Sequence, residues 1–182
     1  MILLLTFSSM SSAMEFEGVN LNDKLQLDTQ PLLLSGAGLR TKFLFKVYVA
    51  GLYLGEKKNT ANAVLDDAGA KRMLFHMLRG VSGKQMLDAI SDSFPTNNSA
   101  EEMKALEARL AEFSKIFASV GELNKGQEIT FDYVPATGTR VSIDGVEKGR
   151  IEGADFYRAL LKMWVGEKPA QAALKQTLLG GK

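Results

Sequence analysis

The chain has 182 residues, 22 Lys plus Arg against 21 Asp plus Glu, and a formal net charge of +1 at pH 7. That balance excludes a global electrostatic footprint for nucleic acid, and 46% hydrophobic with 24% charged residues reads as globular rather than disordered. With no cysteine and one histidine, a disulfide framework, thiolate metal sites, cysteine nucleophiles and two-histidine mechanisms are excluded.

The chain opens on an apolar run, Ile2 to Phe7, followed by small residues from Ser8 to Ala13. Ser11 and Ala13 have the spacing of a signal-peptidase site, so the segment resembles the back half of a secretory signal peptide. On this reading residues 1–13 are a leader remnant, 14–182 form one domain, and the protein is exported. No stretch reaches the roughly 20 apolar residues of a membrane-spanning helix, so no integral membrane segment is expected.

Leu21, Leu25 and Leu27 among polar residues predict a half-buried strand. Leu32-Leu33-Leu34 then runs into Ser35-Gly36-Ala37-Gly38, where the backbone can bend or approach something closely. Phe43 to Leu54 is aromatic and β-branched without proline, predicting one long strand buried on both faces. A short helix is expected over Asn59–Asp67 and a strand over Lys71–Leu78. Ser82-Gly83-Lys84-Gln85 fits a capping box, opening a helix that Pro95 should stop near Phe94. Ser99-Ala100-Glu101-Glu102 fits a second. Behind it Met103, Leu106, Leu110, Phe113, Phe117 and Val120 form one apolar helical stripe ending at Gly121. Gln127–Val134 and Arg140–Ile143 predict strands around the Pro135–Gly138 turn, with further tight turns at Asp144-Gly145 and Lys148-Gly149. Asp155–Val165 predicts a helix with Phe156, Leu160, Met163 and Trp164 inward, and Pro169 can open a last helix through Leu174 and Leu178. Strands, helices, strands, helices in that order argue for α+β with an antiparallel sheet.

Few residues invite chemistry. Asp66-Asp67 reads as a solvated helix end, and His76 lacks a matched carboxylate in the sequence pattern. Gly36-Ala37-Gly38 lacks the third glycine of a dinucleotide fingerprint. Arg40 and Tyr48 face the same way by strand parity, and an Arg beside apolar walls needs an anion or a path to solvent. A ligand carboxylate could be that anion, with the tyrosine hydroxyl as second donor. Eight residues of straight strand would hold the two roughly 26 Å apart, so the pair works only if the chain turns around Arg40 to Phe43. The other reading pairs Arg40 with an internal acid and leaves Tyr48 at the sheet edge.

Residues 35–54, SGAGLRTKFLFKVYVAGLYL, resemble the signature of the chalcone isomerase superfamily. Val81-Ser82-Gly83-Lys84-Gln85, the Pro135–Gly138 hairpin, Asp155-Phe156 and Trp164-Val165-Gly166 agree in order, so the likeness spans nearly the whole domain. The resemblance implies an open-faced β-sandwich: a large antiparallel sheet with helices layered on one side and an apolar cleft between. The family's plant enzymes cyclise chalcones with an Arg, a Thr, a Tyr, an Asn and a late hydroxyl. Here the Arg is retained as Arg40, while Tyr48 replaces the Thr, Met86 the Tyr and Ser93 the Asn; the late hydroxyl falls on Tyr157. Met86 cannot donate the hydrogen bond that would stabilise charge on a substrate oxygen, which argues against chalcone cyclisation.

Non-enzymatic members resemble fatty-acid-binding proteins that clamp a carboxylate between Arg and Tyr, and Arg40 with Tyr48 looks like that pair. The exported-looking start and Trp164-Val165-Gly166 ending place the chain nearest a bacterial, periplasmic branch. The expectation is a non-catalytic binder of a fatty acid or other apolar carboxylate. Arg40 and Tyr48 hold its head, Met86, Ser93, Phe156 and Tyr157 line the cleft, and neither metal nor cofactor is needed. The alternatives are an isomerase or lyase on an enone, with Tyr48 or Tyr157 as base and Arg40 lowering its pKa, and a cell-envelope partner-binding protein with an exposed apolar patch.

Overall fold

The computed structural model describes residues 13–181. Its elements in order are β1 Ala13–Phe16, β2 Val19–Asn22, β3 Lys24–Leu27, β4 Gln30–Lys42, β5 Phe45–Leu54, α1 Ala61–Leu65, β6 Lys71–Met77, β7 Val81–Ser82, α2 Gly83–Asn97, α3 Ala100–Ala118, β8 Glu122–Leu123, β9 Glu128–Val134, β10 Gly138–Ile143, β11 Val146–Ile151, α4 Ala154–Val165 and α5 Ala172–Leu178. Seven strands form one antiparallel sheet in the order β11-β10-β9-β6-β5-β4-β3. This is the α+β antiparallel arrangement the element order implied, with helices against the sheet as the family resemblance implied.

Strand periodicity divides the core between two faces. Along β5, Tyr48, Ala50, Leu52 and Leu54 face the helices, while Val49 and Tyr53 face the β1–β2 hairpin on the other side. The helix side is the larger core. Phe113 and Phe117 of α3 and Phe156 and Trp164 of α4 close over Phe75 and Phe131 of the sheet, with ring centroids 5.0–6.1 Å apart along the chain of contacts. Both capping boxes are formed: Ser82 accepts from the Gln85 amide, Ser99 from the Glu102 amide, and each partner side chain reaches back to the cap N–H.

The structure decides one open expectation and changes several others. Gly36-Ala37-Gly38 does not bend the chain; β4 runs through it to Lys42, with register shifts at Leu34/Gly36 and Arg40/Thr41. Of the two readings, close approach is the one realised. A Cβ on Gly36 would stand 2.0 Å from the Thr177 carbonyl oxygen, and one on Gly38 would stand 2.0 Å from Thr177 Oγ1, so α5 lies directly on this stretch. The reversal falls at Phe43-Leu44, inside the segment read as one strand, leaving β5 to begin at Phe45. Lys148-Gly149 is not a turn but part of β11, where Gly149 makes room for Ile116 of α3. Pro95 lies within the last turn of α2, which continues to Asn97, and the last helix starts after Gln171 rather than at Pro169. Leu21 lies on β2 while Leu25 and Leu27 lie on β3, two strands rather than one, and β1 and the short β7–β8 pair had no predicted counterpart. The leader reading falls on residues outside those described, except Ala13, which begins β1.

Candidate functional site

The two-residue turn at Phe43-Leu44 folds β5 back along β4 and sets Arg40 directly opposite Tyr48. Cross-strand neighbours lie about 5 Å apart, not the ~26 Å of a straight strand. Arg40 is half-buried. Its Nη1 donates to the Thr41 carbonyl at 2.7 Å and to Gln171 Oε1 at 3.3 Å, and the Thr41 amide donates to the same Gln171 oxygen at 2.9 Å. Among the described residues, Arg40 forms no salt bridge to any carboxylate. The internal-acid reading therefore has no partner here, and Tyr48, at 7% exposure, is interior rather than marginal.

Tyr48 packs edge-on against Phe75 at 5.1 Å, and its hydroxyl accepts from Trp164 Nε1 at 3.0 Å. That bond uses a lone pair and leaves the phenolic proton available to donate. Burial pushes the Tyr48 pKa above its ordinary value; the Trp164 bond and the Arg40 charge offset only part of this. Tyr48 is thus a neutral donor beside a cation. The expected lowering by Arg40 is outweighed by desolvation.

These two residues stand at a cleft of about 460 Å³ between the β4–β5 hairpin, α2 and α4, within the usual size range of small-molecule sites. Met86, Ile90 and Ser93 of α2 form one wall, and Val47, Met163 and Trp164 contribute apolar surface. The structure brings together Arg40, Tyr48, Met86 and Ser93 from the sequence-derived set. It places Phe156 and Tyr157 elsewhere. Phe156 is fully buried between Phe94 and Phe113. Tyr157 shares a helical face with Trp164, but seven residues along α4 carry it about 10.5 Å toward the other end. There it packs on Tyr133 and donates to the Phe131 carbonyl at 3.1 Å. Burial raises its pKa strongly, with the Asp132 charge acting the same way. Neither tyrosine is poised as a base.

Gln171, Trp164 and Arg79 belong to the site and escaped the sequence reading of it. Gln171 is 131 positions from Arg40, and no local pattern announces such a contact. Trp164 was recognisable as inward-facing, but not as a hydrogen-bond donor to Tyr48. His76 instead sits 3.4 Å from Glu128 Oε1, and Asp66 caps α1 while pairing with Arg158 at 3.0 Å. A second concavity, on the outer sheet face, is polar and held by the two-pronged Arg72–Asp132 pair at 2.6 and 2.8 Å.

No curated protein matches the sequence. Among solved structures, a fatty-acid binding protein of Arabidopsis thaliana superposes with a TM-score of 0.69 at 14% identity, over 92% of this chain and 96% of that one. At that identity the likeness establishes a shared fold. The family described as chalcone isomerase-like matches residues 13–180, spanning every strand and helix described above, and the chain belongs to that family.

Proposed function

We propose that this protein binds an apolar carboxylate, such as a fatty acid, without transforming it. One observation carries the reading: a guanidinium with no carboxylate partner among the described residues stands beside a neutral tyrosine hydroxyl at an apolar cleft. A carboxylate would accept from the free Arg40 donors and from the Tyr48 hydroxyl, with the alkyl chain against Met86, Ile90 and Met163. The fatty-acid binding protein of the same fold supports the same ligand class. Against an isomerase, both tyrosines proposed as bases have raised pKa values, and Met86 offers no strong donor. A periplasmic location belongs to the same proposal and rests on the leader-like start; cell fractionation tests it.

Trp164 is the sole tryptophan and lines the cleft, so its emission reports occupancy. Delipidated protein titrated with fatty acids should show saturable quenching or shift. Arg40→Ala should weaken binding about 10- to 100-fold, the size of a lost charged hydrogen bond. A folded, delipidated protein with no saturable response, or Arg40→Ala binding as tightly as wild type, would refute the assignment.

A further inference from the structure

The β4–β5 turn that pairs Arg40 with Tyr48 also exposes three large apolar side chains in succession. Phe43 is 89% exposed, Leu44 97% and Phe45 58%. Single exposed apolar residues are ordinary, but a contiguous apolar tip marks an interaction site. Phe43 is strained as well as exposed. Its φ of 55° lies in the left-handed region, and the first residue of such a two-residue turn is usually glycine or asparagine. A bulky aromatic there is retained against both solvation and backbone preference.

Positive charge flanks the tip. Lys42 precedes it, Lys46 follows it, and the Arg79 guanidinium lies 4.7 Å from the centroid of the Phe45 ring. Among the described residues, Lys42 and Arg79 form no salt bridge, while Lys46 meets Glu17. The acidic groups of this region are Glu17 and, on the α2 lip opposite, Asp88 and Asp92; Asp88 is paired with Lys84 at 2.7 Å. Phe43, Phe45, Lys42 and Arg79 all line the mouth of the Arg40–Tyr48 cleft.

We infer that this hairpin tip docks on an anionic lipid surface. Phe43, Leu44 and Phe45 enter the boundary between headgroups and acyl chains, and Lys42 and Arg79 meet anionic headgroups. The shape favours a bilayer over a protein partner. Three side chains on a convex turn fall far short of the roughly 800 Å² per side that a stable protein interface buries, whereas an interfacial anchor needs only apolar depth and adjacent basic charge. Docking stands on the tip alone. That it turns the cleft mouth toward the bilayer as a route for ligand rests on the binding reading above.

The test is flotation of the full-length protein with vesicles of equal parts phosphatidylglycerol and phosphatidylcholine, against vesicles of phosphatidylcholine alone. The chain has no cysteine, so Leu44→Cys accepts a single polarity-sensitive fluorophore at the tip. Wild type should float with the anionic vesicles, less so in high salt, and the label should report an apolar environment. Lys42→Gln with Arg79→Gln should weaken binding about 25-fold, each basic residue counting about fivefold. Leu44→Asp, at a fully exposed position outside the cleft lining, should lose flotation while keeping its fold and its uptake of dissolved fatty acid. That separates a failed docking reading from a failed cleft reading. Three results would overturn the inference: no flotation of folded wild type, equal flotation of Leu44→Asp, or concentration-dependent self-association or capture of a soluble protein through the tip in place of vesicle binding.

Discussion

Replacing Tyr48 by Phe removes one oxygen from the centre of the candidate site and should be felt twice. In the free protein, Trp164 Nε1 loses its acceptor at 3.0 Å while remaining buried, since Trp164 is only 4% exposed. An orphaned buried donor costs about 1–3 kcal/mol. For a chain of this size each kcal/mol moves Tm by about 2–4 °C, giving a fall of about 2–12 °C. The ring itself should stay edge-on to Phe75, so packing loss is small. In the complex, the ligand carboxylate loses a hydrogen bond to an ionised acceptor, about 1.5–3 kcal/mol, or 10- to 100-fold in affinity. Thermal and urea melts followed through Trp164 emission measure the first effect, and fatty-acid titration of the folded variant measures the second. A variant with unchanged stability and unchanged Trp164 emission would show that the indole does not depend on this hydroxyl. Unchanged affinity would remove Tyr48 from the ligand clamp.

Three further outcomes are expected. Gly36→Ala should destabilise by about 1–3 kcal/mol through overpacking, because its Cβ would strike the backbone of α5; urea midpoints unchanged from wild type would contradict the packing seen there. Phe43→Gly should raise Tm by a few degrees, since relief of about 1–3 kcal/mol of backbone strain exceeds the roughly 0.5–1 kcal/mol entropic cost of glycine, and a lower melting temperature would deny the strain. Lys71, buried and set over the Tyr133 ring, has its pKa lowered by burial to about 8. The unfolded chain then binds more protons between pH 8 and pH 10, and stability should rise across that interval. Above pH 10 the trend should reverse, because burial raises Tyr53 to about 12 and the folded state then holds the extra proton. Lys71→Met should flatten the rising limb in pH-dependent melts.

The parts of this molecule that announce themselves in sequence are those decided by near neighbours. The two capping boxes lie within four residues each, and the α3 stripe repeats every turn, so local pattern sufficed for both. The Phe43-Leu44 reversal entered only as a condition of the Arg40–Tyr48 pairing, because its residues are apolar and bulky, the opposite of turn chemistry. An exposed tip built of large apolar side chains reads as strand interior. Gly36 and Gly38 left two readings open for the converse reason: their glycine character answers to Thr177, far along the chain, rather than to any local bend. The site divides the same way. Arg40 and Tyr48 could be singled out by parity and by family resemblance, and their pairing required only the turn. Phe156 could be read as inward-facing and Tyr157 came from the family resemblance, but position along a helix axis relative to a cleft is a tertiary fact. Gln171 carried no local signal at all.

The seating of α5 on the glycines of β4 bears on when the site can exist during synthesis. Arg40 leaves the ribosome early, yet Gln171, which accepts from both its guanidinium and the next amide, is made 131 residues later. Until α5 arrives, the shelf at Gly36 and Gly38 is bare, and the core lacks Leu174 and Leu178. The polar end of the cleft therefore waits for α5. A nascent chain halted before Gln171 would present the cleft without the side chain that holds Arg40 in place, so the order of the site around Arg40 depends on α5 having folded onto β4.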